Sequence, residues 1–481
     1  MGYLGLDLGG TGAKAGVFDA SGRLLGFGKV ALTPTVSNDG RAEIPIERIY
    51  DAAAEAVREA VRTSGVEIRA LAISSQGQTF VSLDADDKPL HPAIIWYDSR
   101  ASEQAERMRQ AASGARPMPV IEAIATAPKV MWLRENYPEL MRRARRYLLL
   151  PDYFNYLLTG EAVTDPSTAS STALYADDAP GYSPEALSAA GIAEASLAEI
   201  RPSGSAVARV RPEMANEWGL SDRTLVVVGA NDQYTGALGA GNCRPGIISE
   251  ATGTCLALVA LTETPPKSVP AGMWLGRFPI GRYQFGLAYA KTAGVVLEWF
   301  NREFCPNKSL SELDELAASS PIGGNGVTVL PHFDGMVSPK PNPDTKGFIC
   351  NLTLGSTLAD IYRAILESLT FSLRENVEFL QDAGFEAGVI RSIGGGARSD
   401  FWLQMKADVT GLPVERPAVT EAAALGAAML AAFGAGDFTS LEESSARLYK
   451  AQRVFAPEVG NNHLYAAPYE AYRELCRKAY R

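Results

Sequence analysis

At 481 residues the chain is long enough for two large domains. Its composition, 46% hydrophobic and 21% charged, is that of an ordinary soluble globular protein. A formal net charge of −10 argues against a general nucleic-acid binder and against binding to an anionic membrane surface, though not against an anionic ligand held by backbone N–H groups and a metal ion.

The chain begins as strand, glycine turn, strand, turn, strand. In GLDLGGTGAKAGVFDASG (5–22), Gly9, Gly10 and Gly12 fall within four positions, just behind Asp7. Glycine at that density lets backbone N–H groups approach a ligand closely. In a dinucleotide-binding fold or a P-loop the glycines open a helix. Here residues 13–18 read as a second strand, and no Gly-Lys-Ser/Thr follows. A phosphate cradle and a plain glycine-rich hairpin both fit this stretch. Residues 44–65 form an amphipathic helix ended by Gly65. Residues 68–84 read as strand, loop, strand, and 93–101 as a buried strand running into a polar turn. Helical patterns cover 102–112 and 129–145, and the basic run 142–147 is a solvated helix face. Residues 160–224 are loop-rich with small helices. A continuous apolar strand then ends in Asn231-Asp232 and leads into a helix of small residues.

Residues 247–261 repeat the strand, glycine turn, strand pattern seen near residue 10, a weak internal duplication. This places a boundary near residue 240 and predicts two α/β domains, 1–240 and 241–481, facing a cleft, each with one phosphate-binding hairpin. A Gly/Pro-rich loop region (320–347), a long helix (356–382), a strand, triple-glycine and helix segment (389–411) and a helix of small residues (420–436) follow. Residues 437–481 read as helical. Five scattered cysteines and no CxxC pair suggest neither a disulfide framework nor a zinc site, and fit a reducing cytoplasmic compartment. Three histidines make a histidine metal cluster an unsuitable reading. The start carries no basic segment followed by an apolar one, and no apolar run has spanning length.

Several residues could carry chemistry. Asp7 ends an apolar strand beside the N–H groups of residues 9–12; a carboxylate next to phosphate needs an intervening cation such as Mg²⁺, or else it caps its own turn. Asp232 follows five apolar or glycine residues at a strand's carboxyl end, suited to accept a hydroxyl proton or to cap the next helix. Thr252, Gly253 and Thr254 offer hydroxyls and open N–H groups to phosphate oxygens. The backbone of Gly394, Gly395 and Gly396 could lie against a nucleoside. Gln76, Gln78, Trp96, Asp98 and Arg100 supply the amides, carboxylate and indole that a polyol needs, or else surround a core tryptophan.

Taken in order, these pieces resemble the FGGY carbohydrate kinases. The opening hairpin resembles the family's first phosphate loop, and ATAPKVMWL (125–133), with Lys129 and Trp132, its first signature. GANDQYTGA resembles the segment with the catalytic aspartate, and ATGTCLAL the second phosphate loop. LTLGSTLADIYRAILE (352–367) resembles the second signature, and GGGARSDFWLQMKADVTG the adenosine segment of xylulokinase-like members. The resemblance implies an actin-like ATPase fold of two ribonuclease H-like domains, the first mainly for sugar and the second mainly for ATP. It implies phosphorylation of a sugar hydroxyl by Mg²⁺–ATP, with Asp232 as general base and Asp7 at the metal. Gly9, Gly10, Thr11, Gly12, Thr252, Gly253 and Thr254 would hold phosphates, and Gly395 and Gly396 adenosine. Gln76, Gln78, Trp96, Asp98, Arg100 and Gln233 would hold the sugar. No nucleic-acid or membrane partner is expected, and a homodimer is the candidate assembly.

The chain departs from the family at the sugar side. Xylulokinases usually carry Gln-Met-His-Gly where residues 76–79 read Gln-Gly-Gln-Thr; glycerol kinases have Arg-Glu at positions 77 and 78. Ile124 and Asn351 also depart from the two signatures. WYDSR (96–100) is nearer the xylulokinase pattern, which favours a ketopentose such as D-xylulose. Alternatives are L-xylulose, ribulose, erythritol or glycerol, or a non-catalytic sugar- or nucleotide-binding regulator. A chaperone or filament ATPase is disfavoured by the two signatures.

Overall fold

The computed structural model describes residues 1–37, 39–111, 121–176 and 181–480; residue 112, where one helical pattern is expected to end, lies outside them. The chain divides into two compact units: Met1–Gly239 with Gly276–Arg282 and Glu421–Tyr449, and Ala240–Leu275 with Tyr283–Thr420 and Lys450–Arg481. A single cut near residue 240 follows chain order but not packing, because the helix Ala422–Gly434 returns to the first unit. Its seat depends on glycine. A Cβ on Gly426 would lie 1.9 Å from the carbonyl oxygen of Thr235, and one on Gly5 1.8 Å from that of Ala424. No side chain can occupy such backbone-to-backbone contacts.

The main sheet of the first unit has six strands: β1 (Gly2–Gly9), β2 (Gly12–Phe18), β3 (Leu24–Ala31), β4 (Ile68–Ser75), β5 (Ala206–Arg209) and β6 (Leu225–Asn231). Their order is β5-β6-β4-β1-β2-β3. β1, β4 and β6 run parallel, and β2 and β3 fold back as antiparallel hairpins. Alternation puts Leu4, Leu6 and Leu8 of β1 in a core with Ala13, Ala15 and Val17, covered by the helix Ile46–Ser64. That helix ends, as expected, at Gly65 in a left-handed cap with φ of 63°. The opposite face of β1 carries Gly5 and Asp7.

The main sheet of the second unit has seven strands: β7 (Gly246–Thr252), β8 (Leu256–Thr262), β9 (Met273–Arg277), β10 (Gln284–Ala290), β11 (Ala387–Gly394), β12 (Val414–Pro417) and β13 (Ala451–Phe455), in the order β9-β10-β8-β7-β11-β12-β13. The centre repeats the first unit. A hairpin β7–β8 lies beside a parallel strand β11, as the hairpin β1–β2 lies beside β4. Three local expectations change. The basic run 142–147 is not a helix face, because the helix ends at Met141, residues 142–145 turn, and Arg146 and Tyr147 open the strand Arg146–Leu149. Only Ala93–Ile94 of the stretch 93–101 forms a strand; beyond it the backbone bonds through a turn and side chains, with Asp98 N–H on the Ile95 carbonyl, Arg100 N–H on Asp98 Oδ1, and Lys129 Nζ on the carbonyls of Ile95 and Trp96. The segment 437–481 is not all helix: β13 interrupts it by pairing with β12.

Candidate active site

In the first unit, three parallel strands deliver their carboxyl ends to one place. Register aligns Asp7 of β1 with Ser74 of β4, and Ala230 of β6 with Ser74 from the other side. Ser74 Oγ donates to Asp7 Oδ1 at 3.1 Å and meets Thr235 Oγ1 at 2.6 Å. Asp232 opens the helix Asp232–Gly239 immediately after β6. Its neighbour shares the capping: Gln233 N–H donates to Asn231 Oδ1 at 3.0 Å and also acts on the Asp232 carboxylate. Both carboxyls keep some open surface yet sit deep among protein atoms. Burial raises Asp7 to about 7, the charge of Asp232 pushes the same way, and Ser74 and Lys14 oppose it. Burial raises Asp232 to about 6, against the N–H groups of residues 233 and 232.

The β1–β2 turn lies beside the expected sugar residues. A Cβ on Gly10 would sit 3.3 Å from Trp96 Nε1 and 3.4 Å from Gln76 Oε1. Gln76 is 5% exposed, and its Oε1 has no hydrogen-bond partner. Gln78 takes a left-handed φ of 55°, an unfavourable conformation for a side chain, pinned by its N–H to Ser171 Oγ and its carbonyl from Thr126 Oγ1. A larger residue at position 77 would force side chains to move: its Cβ would lie 2.6 Å from Asn231 Nδ2 and 3.0 Å from Ser171 Oγ. The departure at position 77 therefore matches Asn231 and Ser171. Gln233, one residue beyond Asp232, is half-buried.

Asp98 and Arg100 are placed differently from an open sugar-binding pair. Asp98 is fully buried; it accepts from Ala42 N at 2.6 Å and is held by Arg100 at 2.7–3.1 Å. Arg100 also meets Glu43 at 2.6 Å and lies over the Trp132 ring at 4.8 Å. Lys129, fully buried, donates to the carbonyls of Ile95 and Trp96 at 2.8 and 3.1 Å, and burial lowers its pKa to about 7. These groups hold the Trp96 loop, Lys129 through two of its carbonyls and Trp132 through the ring beneath Arg100.

In the second unit, the β7–β8 turn leaves Gly253 and Thr254 exposed but buries Thr252. The helix Gly294–Phe304 starts against it, with Gly294 N–H on the Gly253 carbonyl at 2.9 Å. Thr252 also aligns with Gly394 of β11, whose φ is +82°. A Cβ on Gly396 would stand 2.8 Å from Thr252 Cβ. The two glycine turns assigned to the nucleotide are therefore neighbours in space. The Thr252 hydroxyl points inward, to Glu250.

These two hairpins, each beside a parallel strand, have counterparts in known proteins. The family profile for the N-terminal domain of the FGGY family of carbohydrate kinases matches residues 2–239, and that for its C-terminal domain matches 252–435. The chain belongs to the FGGY family of carbohydrate kinases. It is 30% identical to a xylulose kinase of Bacillus subtilis (strain 168), over 98% of this chain and 96% of that one. It is also 30% identical to a glycerol kinase of Solidesulfovibrio magneticus, over 95% of each. The crystal structure of a xyloylose kinase from Brucella ovis superposes with a TM-score of 0.90 at 27% identity, covering 99% of both chains. The fold is thus the two-domain, actin-like and ribonuclease H-like α/β architecture that the resemblance implies, and the chain is a carbohydrate kinase.

FGGY kinases draw on ATP, so the fit of a metal to this site is a fair test. Among the described residues no cluster of three or more metal-type side chains occurs. Mg²⁺ needs only one or two carboxylates when phosphates and water complete its shell. Asp7 and Asp232 repel each other across a buried site, and a cation relieves that repulsion; the donor set fits. Sequence reasoning missed Lys14, which stands opposite Asp7 on β2 and pairs with Glu421 at 2.7 Å. Its place two residues beyond the glycine turn was the available signal.

Proposed function

We propose that the chain phosphorylates a ketopentose such as D-xylulose at the expense of Mg²⁺–ATP, with Asp232 as general base. The observation that carries this reading is the end of β6: Asp232 stands beside Asp7, at the carboxyl ends of three parallel strands. In this reading, Asp232 takes the proton of the attacking hydroxyl as its oxygen reaches the γ-phosphorus. Gln76 Oε1, buried and unpartnered, accepts from a sugar hydroxyl. Trp96 offers an apolar face and an N–H, and Gln78 and Gln233 complete the polar rim. The N–H groups of residues 9–12 and of Gly253 and Thr254 hold phosphate oxygens, and the turn 394–396 holds the adenosine. Asp7 would hold Mg²⁺, which neutralises charge on the transferring group when bound and offsets the repulsion between Asp7 and Asp232. Asp98, Arg100 and Lys129 orient the Trp96 loop rather than bind the sugar directly.

The test is ADP release with Mg²⁺–ATP over D- and L-xylulose, D- and L-ribulose, erythritol and glycerol. D-xylulose is the expected responder; glycerol is the second reading, because a glycerol kinase is equally similar. With the responding sugar, Asp232→Asn is expected to lower turnover by about 10²- to 10⁴-fold while ADP still binds. Near wild-type turnover would remove Asp232 from the role of base.

A further inference from the structure

Beneath the β7–β8 turn lies a closed polar cluster that the chemistry above does not use. Glu250, Thr252, Ser392 and Lys406 are each at most 1% exposed. Glu250 and Ser392 face each other in register across β7 and β11. Glu250 Oε1 accepts from the Thr252 hydroxyl, and its Oε2 from the Ser392 hydroxyl and from Lys406 Nζ at 2.8 Å. Lys406 Nζ also reaches Thr252 Oγ1 at 3.3 Å and Ser392 Oγ at 3.2 Å, and sits 4.6 Å over the Trp402 ring. The ammonium is therefore surrounded by three oxygens and an aromatic face.

A buried ion pair is a poor device for stability alone. Two apolar side chains of similar shape usually serve as well or better. What the pair adds is direction. It fixes the side chain of Thr252, and Thr252 supports both glycine turns: Gly253 follows it in the chain, Gly394 aligns with it, and Gly396 rests on its methyl-bearing carbon.

We propose that the Glu250–Lys406 cluster is a positioning device for the nucleotide-binding turns, acting through the Thr252 hydroxyl; this rests on the kinase reading above. Thr252 is then a positioning residue whose hydroxyl never touches phosphate. The cluster sets how the N–H groups at 253–254 and the flat backbone at 394–396 present themselves together. It acts on nucleotide affinity and leaves the sugar side untouched.

The test is ADP titration calorimetry on the full chain, with thermal unfolding alongside. The paired variant Glu250→Leu/Lys406→Met removes both charges at once and is expected to unfold within a few degrees of wild type. Its ADP dissociation constant is expected to rise about tenfold, the scale of one well-directed hydrogen bond. Thr252→Val should give the same rise, Thr252→Ser should restore wild-type affinity, and the triple variant should show no further loss. If the paired variant does not fold, the Val and Ser variants at 252 carry the test. Unchanged ADP affinity in Thr252→Val or in the folded paired variant overturns the proposal. So does additivity between them. A wild type that fails to bind ADP overturns the nucleotide reading and this proposal together; a wild type that binds separates the two failures.

Discussion

The two units place a carboxylate at the same spot and treat it in opposite ways. Asp7 stands three residues before Gly10 on β1; Glu250 stands three residues before Gly253 on β7. Each faces a serine on the adjoining parallel strand, Ser74 or Ser392, and each receives that serine's hydroxyl. Around Glu250 the fold supplies a buried cation, Lys406. Around Asp7 it supplies a second carboxylate, Asp232, while Lys14 is drawn toward Glu421. The shared topology thus delivers a charge twice. What meets that charge decides whether it becomes scaffold or, as proposed for Asp7, takes a cation from outside.

The sharpest way to break this comparison is to neutralise the scaffold member. Glu250→Gln leaves the Lys406 ammonium buried without a counter-charge, and is expected to lower unfolding free energy by about 3–5 kcal/mol, read from urea midpoints. Little change would mean that Lys406 has another way to be satisfied, and the contrast with Asp7 would fail. A smaller effect is expected where the first unit departs from its family. Gly77→Met places a side chain where Asn231 Nδ2 would lie 2.6 Å from its Cβ. Overpacking of this kind costs about 1–3 kcal/mol. Adding Asn231→Ala should return part of that stability; if it does not, the fit between positions 77 and 231 is not what makes glycine necessary.

How much of this was legible in the sequence follows from the range of the interactions. Both hairpins, the helix Ile46–Ser64 and the strand ending at Asn231 were readable because glycine turns and apolar alternation are local signals. So was the position of Asp232 at a strand's carboxyl end. The strand Ala451–Phe455 was not, because its identity comes from pairing with residues 414–417. Asp98 and Arg100 read either as sugar-binding groups or as neighbours of a core tryptophan; what decides their surroundings is Ala42 N–H on Asp98 and Glu43 on Arg100, both more than fifty residues away in the chain. Lys406 and Glu250 are 156 residues apart, so nothing local marks either as half of a pair. The family resemblance supplied expected roles for single residues; it could not supply these pairings, which arise only when strands and helices meet.

The smallest expected effect is the most discriminating. Asp7→Asn removes one of two mutually repelling buried carboxylates, so the metal-free protein should gain about 1 kcal/mol, the reverse in sign of Glu250→Gln. The thermal midpoint in chelator checks this. Added Mg²⁺ should then raise the wild-type midpoint and leave that of Asp7→Asn nearly still, because a ligand stabilises only the state that binds it. Ser74 keeps a hydrogen-bond acceptor in the variant, since the Asn side-chain oxygen can take its hydroxyl, so loss of that contact does not confuse the result. A destabilised Asp7→Asn would show that Ser74 and Lys14 already satisfy the carboxylate. Asp7 would then be scaffold like Glu250, and the two hairpins would differ in their neighbours but not in their use.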